Sequence, residues 1–590
     1  MEWQGWVTVL LVFGALVALA VTRTGPHLVM MAVLTILSGL GILDASEALA
    51  GFSNSGVLTV AAMFVVATGV HQSGGVDLLV NKVLRKPSTV RAAIARILFP
   101  VIICSGFLNN TPLVATMIPA VNAWSRKIKI PVSKLMIPLS YAAILGGTLT
   151  MIGTSTNLVV NGQYQSLTGE AGFSMFSISA VGLPVAIIGG LFIWFFFPRL
   201  LPDRSDKNAF ENLREFTLEV MVANNGPLVG KTVAEAGLRH LERIYLVEIE
   251  RNGTIVTAVP SEEILHGNDR LIFAGDTQAI SDLLRIKGIV ASTENGVAEH
   301  FARNRTERML VEAVVSPHCA AVGQAIRDAR FRDRYGAAVL AVARGGERVK
   351  GNLGTIQLEA GDTLLLEARP AFVSRQRFNK DFLLINDLNE ETPRHEKAYL
   401  SWVILFALVA SASLGILSML NAALIGAGLM ILTRCCSVNQ AERSVDFTVI
   451  VTIAASFAVG TALQKTGVAA LIAENMVRLS LGQAWLLLLV TYCAVSLLTE
   501  VITNNAAAIL MLPVVLEITE KANLNNEPFV FAIMMAASAS FATPLGYQTN
   551  LMVYGPGGYR FSDFLKVGVP MNVFIGAVTL TVLLLGWPLT

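Results

Sequence analysis

Charge is scarce in this sequence: only 15% of its 590 residues are charged, whereas 54% are hydrophobic. A chain with this composition and a mean hydropathy of +0.61 is too apolar for a soluble globular protein, and it is long enough for several structural units. The formal net charge is +2, so no strongly basic balance points to nucleic acid as a partner. We therefore predict an α-helical polytopic membrane protein whose surroundings are a lipid bilayer.

Cysteine and nucleotide-binding motifs are also scarce. The five cysteines show no metal-like spacing, and we expect reduced thiols. The sequence has no Gly-x-x-x-x-Gly-Lys-Ser/Thr stretch, which disfavours an ATP-driven pump. No catalytic residues are predicted, and we expect that the protein is not an enzyme.

Apolar segments of about 20 residues, the length that crosses a bilayer as a helix, recur in both halves of the chain. Glu2 precedes the first segment and Arg23 follows it, the reverse of a signal peptide, so we expect a retained span. The predicted spans lie near residues 5–22, 27–43, 55–72, 178–198, 399–416, 419–433, 447–463 and 571–587.

Four further apolar segments are interrupted by polar residues such as Asn and Thr. Backbone polar groups at membrane depth must be satisfied, so such breaks are tolerated only where they are buried in protein or line a cavity. We predict two re-entrant helical hairpins, with their tips at residues 105–112 and 499–506. We also predict two helices that are unwound near their middles, within residues 135–160 and 529–553.

Matching motifs occur in the same order in the two membrane halves, residues 1–199 and 397–590. For example, Thr-Asn at 156–157 recurs at 549–550, and Val-Gly-x-Pro at 181–184 recurs at 567–570. Several ordered matches indicate an internal duplication. Five crossings in each half is an odd number, so the second repeat is predicted to be inverted, and paired breaks in inverted repeats point to a transport site.

Loop charges predict the orientation. The loops around Asp44 and Glu47, and over residues 162–173, hold no Lys or Arg, whereas the loops predicted on the other side hold most of them. The positive-inside rule then places both termini outside a cell (inner) membrane and the region between the halves in the cytoplasm. The first-half cluster on the positive side includes Lys82, Arg85, Lys86, Arg91 and Arg96.

Between the halves, charged residues alternate with short β-like strings, which predicts an α+β cytosolic insert. Pro-Leu-Val-Gly-Lys-Thr at 227–232 is echoed by Ala-Val-Gly-Gln-Ala at 321–325, and Gly-Asn-Asp near residue 268 is echoed by Gly-Asp-Thr near residue 362. We predict two similar modules, residues 205–295 and 305–390, each within the size range of a small domain.

The breaks can bind both anions and cations, because a helix that stops at membrane depth presents positive amide ends and negative carbonyl ends. Amide and hydroxyl groups at 109–111, facing those at 503–505, could donate to a dianion such as sulfate or a dicarboxylate. Carbonyls of the breaks, with the hydroxyls of Ser105 and Thr499, could coordinate a hard cation such as Na⁺. The four breaks contain no Lys or Arg, so co-bound cations would help to hold a dianion.

Two alternatives stay open at this point. Small polar residues often only hold helices together, although four breaks in paired positions favour a binding role. Glu500 could carry a proton or help to bind a cation, or it could cap backbone amides.

At these residues the chain resembles the divalent anion/sodium symporter family, which carries a Ser-Asn-Thr signature at each hairpin tip. Here the signatures read Asn109-Asn110-Thr111 and Thr503-Asn504-Asn505. The resemblance implies a homodimer in which a transport domain moves against a scaffold like an elevator. It implies substrate binding by Asn109, Asn110, Thr111, Thr150, Thr503, Asn504, Asn505, Thr543 and Pro544. It implies Na⁺ binding by Ser105, Asn109, Asn110, Leu149, Gly153, Thr499, Thr503, Asn504, Ala542 and Gly546.

The insert resembles two copies of the C-terminal ligand-binding (TrkA-C) module of regulators of potassium conductance. Symporters with this insert look closest to sulfate transporters, so sulfate ranks above C4-dicarboxylates or citrate as the substrate. The ligand of the modules is not identified: a nucleotide, a metabolite, none, or a role in dimerisation alone would all fit. Two other functions are compatible with the sequence, a cation/proton antiporter of the same superfamily and a membrane-anchored sensor.

Overall fold

The chain forms two compact units, one made of Met1–Ser205 with Thr392–Thr590 and the other of Asp206–Glu391. The structure is a computed structural model that describes residues 2–21, 24–76, 87, 89–204, 217–238, 244–251, 254–257, 259, 262–275, 286–291, 309–316, 319–344, 347–349, 353–368, 372, 376, 381–387, 397–500, 502–544 and 546–590. Lys82, Arg85 and Lys86 of the predicted charge cluster lie outside these residues. The predicted module boundaries stay predictions.

The first half of the helical unit contains nine described helices. A short 3-10 turn at Ala50–Ser53 joins the third to the fourth. The helices are α1 (Trp3–Val21), α2 (Pro26–Gly39), α3 (Ala45–Leu49), α4 (Ser55–Gln72), α5 (Val90–Ser105), α6 (Asn110–Ile128), α7 (Met136–Gly147), α8 (Ser155–Thr168) and α9 (Ser179–Leu200).

The insert contributes one short described helix, α10 (Phe331–Tyr335). The second half of the helical unit contains ten described helices, nine of which follow the order of the first half. The helices there are α11 (Ala398–Ser413), α12 (Met419–Leu432), α13 (Val438–Ser444), α14 (Phe447–Lys465), α15 (Val468–Leu479), α16 (Ala484–Thr499), α17 (Asn504–Lys521), α18 (Asn526–Ser538), α19 (Gln548–Tyr554) and α20 (Phe561–Gly586). The predicted class, a helical protein with interrupted helices and an α+β insert, is confirmed.

The interrupted helices form two equivalent pairs. We call α5 with α6 the first hairpin, α7 with α8 the first broken helix, α16 with α17 the second hairpin, and α18 with α19 the second broken helix. In each repeat the first hairpin limb packs on the first part of the broken helix, α5 on α7 and α16 on α18. Two other pairs of helices pack reciprocally across the repeats, α2 on α14 and α4 on α12.

The helical unit has buried central helices and outer helices that expose apolar side chains. All twelve residues of α7 are buried, as are residues 528–538 of α18. The outer helices instead expose large apolar side chains, for example Trp6, Phe13 and Val573. An apolar surface of this kind is stable against lipid rather than water.

Helix lengths agree with a multi-pass protein. Among the described residues, four helical stretches are long and apolar enough to cross a membrane: Ala45–Gln72, Ser179–Leu200, Phe447–Lys465 and Phe561–Gly586. The pair Asn110–Ile128 and Val132–Gly147, bent by 119°, passes the same test when taken together. The number of crossings in each half, and hence the inversion, stays a prediction.

Three described helices of the helical unit were not predicted: α3, α13 and α15. The longest of them, α15, is amphipathic and buries Val468, Ala469, Ala473 and Met476 on one face. Glu474 on its other face pairs with Lys521 at 2.9 Å. The apolar residues of this segment recur with a helical period, but the segment is too polar to be predicted as a membrane span.

The insert contains two five-stranded antiparallel sheets of the same topology. The first sheet has the order β3-β2-β4-β1-β5, and the second, read in the same direction, has the order β8-β7-β9-β6-β10. The strands are β1 (Thr217–Val222), β2 (Ile244–Arg251), β3 (Thr254–Thr257), β4 (Arg270–Gly275), β5 (Ile289–Ala291), β6 (Met309–Val315), β7 (Ala337–Arg344), β8 (Glu347–Arg348), β9 (Thr363–Ala368) and β10 (Phe382–Asp387).

An equivalent ion pair occurs in both sheets. Arg251 at the end of β2 contacts both carboxylate oxygens of Asp269 at 2.9 Å. Arg344 at the end of β7 does the same with Asp362 at 2.8 Å. A bidentate pair onto a buried carboxylate fixes the turn before the next strand. The recurrence of strand order and ion pair indicates a duplicated module, whereas its likeness to TrkA-C stays a prediction.

All five cysteines are free thiols. In the insert, burial raises the pKa of the Cys319 thiol, which favours its protonated form.

Candidate functional site

The tip of the first hairpin is organised by a hydroxyl and two amides. Asn109 caps α6, and its Oδ1 accepts a hydrogen bond from the Thr111 amide at 3.2 Å. Ser105, the last residue of α5, donates to the carbonyl of Ala143 at 2.7 Å and is also hydrogen-bonded to Oδ1 of Asn110. Ser105 is fully buried and Asn110 is 2% exposed. These bonds tie the two hairpin limbs to each other and to α7.

The second hairpin has the same arrangement at the matching positions. Thr503 caps α17 and accepts from the Ala506 amide at 3.4 Å. The hydroxyl of Thr499 contacts Oδ1 of Asn504 at 2.8 Å and the carbonyl of Ala537 at 3.0 Å. The duplication predicted from sequence motifs therefore recurs in individual hydrogen bonds.

Each broken helix is bridged by one buried asparagine. Nδ2 of Asn157 donates to the carbonyls of Gly147 and Thr150, at 3.5 and 3.1 Å. Nδ2 of Asn550 donates to the carbonyls of Ser540 and Thr543, at 3.0 and 3.1 Å. The unwound backbone thus has internal partners, as it must at membrane depth.

The two repeats meet at their breaks. Asn110 donates to the hydroxyl of Tyr547 at 2.7 Å, and Thr111 donates to Gln548 at 3.1 Å. In the reciprocal contact, Nδ2 of Asn505 donates to the hydroxyl of Ser155 at 3.2 Å. Each hairpin tip therefore contacts the start of the second part of the other repeat's broken helix. The N-terminus of α6 thus meets that of α19, and the N-terminus of α17 meets that of α8. The positive ends of the dipoles of the longer helices α6, α8 and α17 favour an anion.

The remaining predicted site residues lie on the unwound loops. Thr150 is buried and is hydrogen-bonded to the Gly106 carbonyl, while Thr543 donates to the Glu500 carboxylate at 2.9 Å. The carbonyl of Leu149 already accepts a hydrogen bond from Ser179. Gly153 packs against Gly147, and Ala542, Pro544 and Gly546 lie in the loop between α18 and α19. The predicted sets thus lie at the two hairpin tips and on the two unwound loops, and their roles stay predictions.

Tyr547, Gln548 and Ser155 were missed by the sequence analysis. They lie within the predicted breaks, but their partners are 437 or 350 positions away in the sequence. The match between the repeats could have found them, because Ser155 and Gln548 each begin the second part of a broken helix.

Glu500 is the acidic residue at the breaks. It accepts hydrogen bonds from the side chains of Thr543 and Asn572. No described Lys or Arg forms an ion pair with Glu500. Its described hydrogen bonds come from side chains rather than from backbone amides.

Residues 9–516 and 422–588 match a family model described as "Citrate transporter". The chain belongs to this family. It is therefore a transporter of the membrane and not an enzyme, and the resemblance to divalent anion/sodium symporters is confirmed.

Relatives that cover at least 93% of the chain support the family match. A Chlamydomonas reinhardtii protein named as a sulfur deprivation response regulator is 35% identical, covering 93% of this chain and 96% of the relative. An uncharacterized Synechocystis transporter, sll0640, is 34% identical and covers 93% and 91%. Sodium/sulfate cotransporter 1 of Chlamydomonas reinhardtii is 28% identical and covers 98% and 89%.

Proposed function

We propose that this protein is a secondary active transporter that takes up sulfate together with Na⁺. The observation that carries the proposal is the reciprocal site, in which two hairpin tips meet two broken helices with no Lys or Arg in any break. A dianion held only by amides, hydroxyls and helix dipoles needs co-bound cations to balance its charge. The name of the Chlamydomonas cotransporter supports Na⁺ and sulfate as the pair.

The substrate set proposed here is Asn109, Asn110, Thr111, Thr150, Thr503, Asn504, Asn505, Thr543 and Pro544. The proposed Na⁺ ligands are the hydroxyls of Ser105, Thr499 and Thr503, the side-chain amides of Asn109, Asn110 and Asn504, and the loop positions Leu149, Gly153, Ala542 and Gly546. In the proposed cycle, the hairpins and broken helices move as a transport domain against a dimeric scaffold. This division into a transport domain and a scaffold suits an elevator movement, because the transport domain would carry the bound sulfate and Na⁺ across the bilayer together.

Uptake of radiolabelled sulfate into proteoliposomes tests this function. We expect an inward Na⁺ gradient to drive sulfate accumulation that neither succinate nor citrate inhibits. Since the matching family model is described as a citrate transporter, inhibition by succinate or citrate would move the substrate to carboxylates. Absence of flux for sulfate and carboxylates alike would contradict the proposal.

A membrane-anchored sensor is the second candidate, and the name of the 35% identical relative favours it. A sensor would bind sulfate without gradient-driven accumulation, so the same proteoliposomes separate the two functions. Against a pure sensor, two pairs of broken helices are costly to maintain in an anchor.

We propose that the insert lies in the cytoplasm, that both termini lie outside, and that the insert regulates transport through a ligand of its two modules. The loop charges of the first half support this orientation. In right-side-out vesicles, we expect external protease to spare the insert while removing a tag fused to the N-terminus. Cleavage of the insert under those conditions would reverse the orientation.

A further inference from the structure

Among the positions at which the two repeats differ, three lie close together in the second repeat. Ser105 matches Thr499, so Gly106 matches Glu500. By the matches of Asn157 with Asn550 and of Gly182 with Gly568, Gly147 corresponds to Ser540 and Ala186 to Asn572. At each position a small apolar residue of the first repeat is replaced by a polar one.

Two of these replacements, Glu500 and Ser540, lie with Thr543 around Gly546, so that three side-chain oxygen atoms are close together. A methyl group added at Gly546 would lie 2.2 Å from Ser540 Oγ, 2.9 Å from Glu500 Oε2 and 3.1 Å from Thr543 Oγ1. At the matching Gly153, an added methyl group would instead meet backbone, with the Gly147 carbonyl at 2.4 Å. The side-chain oxygen cluster is therefore a property of the second repeat.

Hydrogen bonds hold the Glu500 carboxylate in place, but one hydroxyl of the cluster has no described partner. Oε2 of Glu500 accepts from Thr543 at 2.9 Å, and Oε1 accepts from Nδ2 of Asn572 at 3.2 Å. Asn572 is itself oriented by the Phe541 amide, which donates to its Oδ1 at 3.2 Å. Ser540 Oγ is fully buried and has no hydrogen-bond partner among the described residues.

A buried hydroxyl without a partner, such as that of Ser540, is costly unless a ligand completes it. The half-buried Glu500 carboxylate beside it has no cationic neighbour among the described residues and can accept a cation. Oxygen atoms from a carboxylate and from hydroxyls are ligands that hard cations prefer. We infer that Glu500, Ser540 and Thr543 form a negatively charged Na⁺ site in the second repeat, which the first repeat lacks. This inference rests on the proposed function, and it adds two ligands, Glu500 and Ser540, to that site.

The charge has a consequence for the order of binding. In the described breaks of the first repeat, a cation would meet neutral hydroxyls, amides and carbonyls, so that cation site gains most from the charge of a bound anion. The second repeat supplies its own negative charge through Glu500. Na⁺ therefore binds the second repeat before sulfate arrives.

Binding of radiolabelled Na⁺ to the purified full-length protein without sulfate tests this order. We expect saturable binding by the wild type, a loss of about tenfold in apparent affinity for Glu500→Gln, and a smaller loss for Ser540→Gly. Glycine is the residue of the first repeat at the latter position, so Ser540→Gly should fold even if Glu500→Gln does not. The matched control is Glu47→Gln, whose carboxylate pairs with exposed Lys465 at 2.7 Å and should not affect Na⁺ binding.

Outcomes for the inference and for the proposed function can be distinguished. Wild-type affinity in both Glu500→Gln and Ser540→Gly, or no wild-type Na⁺ binding without sulfate, would overturn the inference even if Na⁺ drives sulfate uptake. Conversely, Na⁺ binding that depends on Glu500 in a protein without gradient-driven uptake would support the site and contradict the transport proposal.

Discussion

Sulfate uptake is expected to fall to background when either Asn110 or Asn504 is replaced by alanine. Asn110 joins Ser105 on its own hairpin to Tyr547 of the other repeat, so alanine removes a contact on each side of the site. Asn504 holds the hydroxyl of Thr499 at 2.8 Å. Each change also leaves a buried hydroxyl with fewer partners, at a cost of about 1–3 kcal/mol. Initial rates of uptake in proteoliposomes are the measurement.

The control for these two variants is Asn475→Ala. The Asn475 side chain lies on the exposed face of α15, and its one hydrogen bond among the described residues is to the Leu471 carbonyl of its own helix, at 2.9 Å. This variant should transport at a near-normal rate. All three proteins should be compared for expression and for elution in size-exclusion chromatography, so that misfolding is recognised. Near-normal uptake by both Asn110→Ala and Asn504→Ala would remove the site assignment.

The positions of the breaks were predictable from sequence because the local chemistry is strong. A cluster of Asn, Thr and Gly inside an apolar segment cannot continue as a lipid-exposed helix without leaving polar groups unsatisfied. The structure starts α6 at Asn110 and α17 at Asn504, within the predicted tips. Because the sequence motifs occur in both repeats, a break predicted in one repeat supported the matching break in the other.

The partners of the breaks could not be predicted in the same way. Asn110 and Tyr547 are 437 positions apart, and only the packing of the two repeats brings them together. Glu500 illustrates the limit: its sequence context was compatible with capping backbone amides, but its described bonds come from Thr543 and Asn572 on later segments. Residue type predicts that a group needs a partner, whereas the fold determines which partner it has.

Replacing Gly182 or Gly568 with alanine is expected to cause the second large loss of uptake. An added methyl group would lie 2.0 Å from the Thr148 carbonyl oxygen at Gly182, and 2.1 Å from the Phe541 carbonyl oxygen at Gly568. Both oxygens belong to the backbone where a broken helix unwinds, so the loop must move to accept a methyl group. Overpacking of this kind costs about 1–3 kcal/mol. Thermal unfolding and initial uptake rates, measured on the same preparations, would record both effects.

The two glycines should differ in what they disturb. Movement of Phe541 shifts the amide that orients Asn572, and hence the Glu500 carboxylate, so Gly568→Ala should weaken Na⁺ binding measured without sulfate. Gly182→Ala displaces the loop of the first repeat and should leave that binding largely intact. Gly428→Ala is the matched control, because nothing lies within 4 Å of the added methyl group. Equal Na⁺ affinities in Gly568→Ala and Gly182→Ala would contradict the placement of the charged site in the second repeat alone.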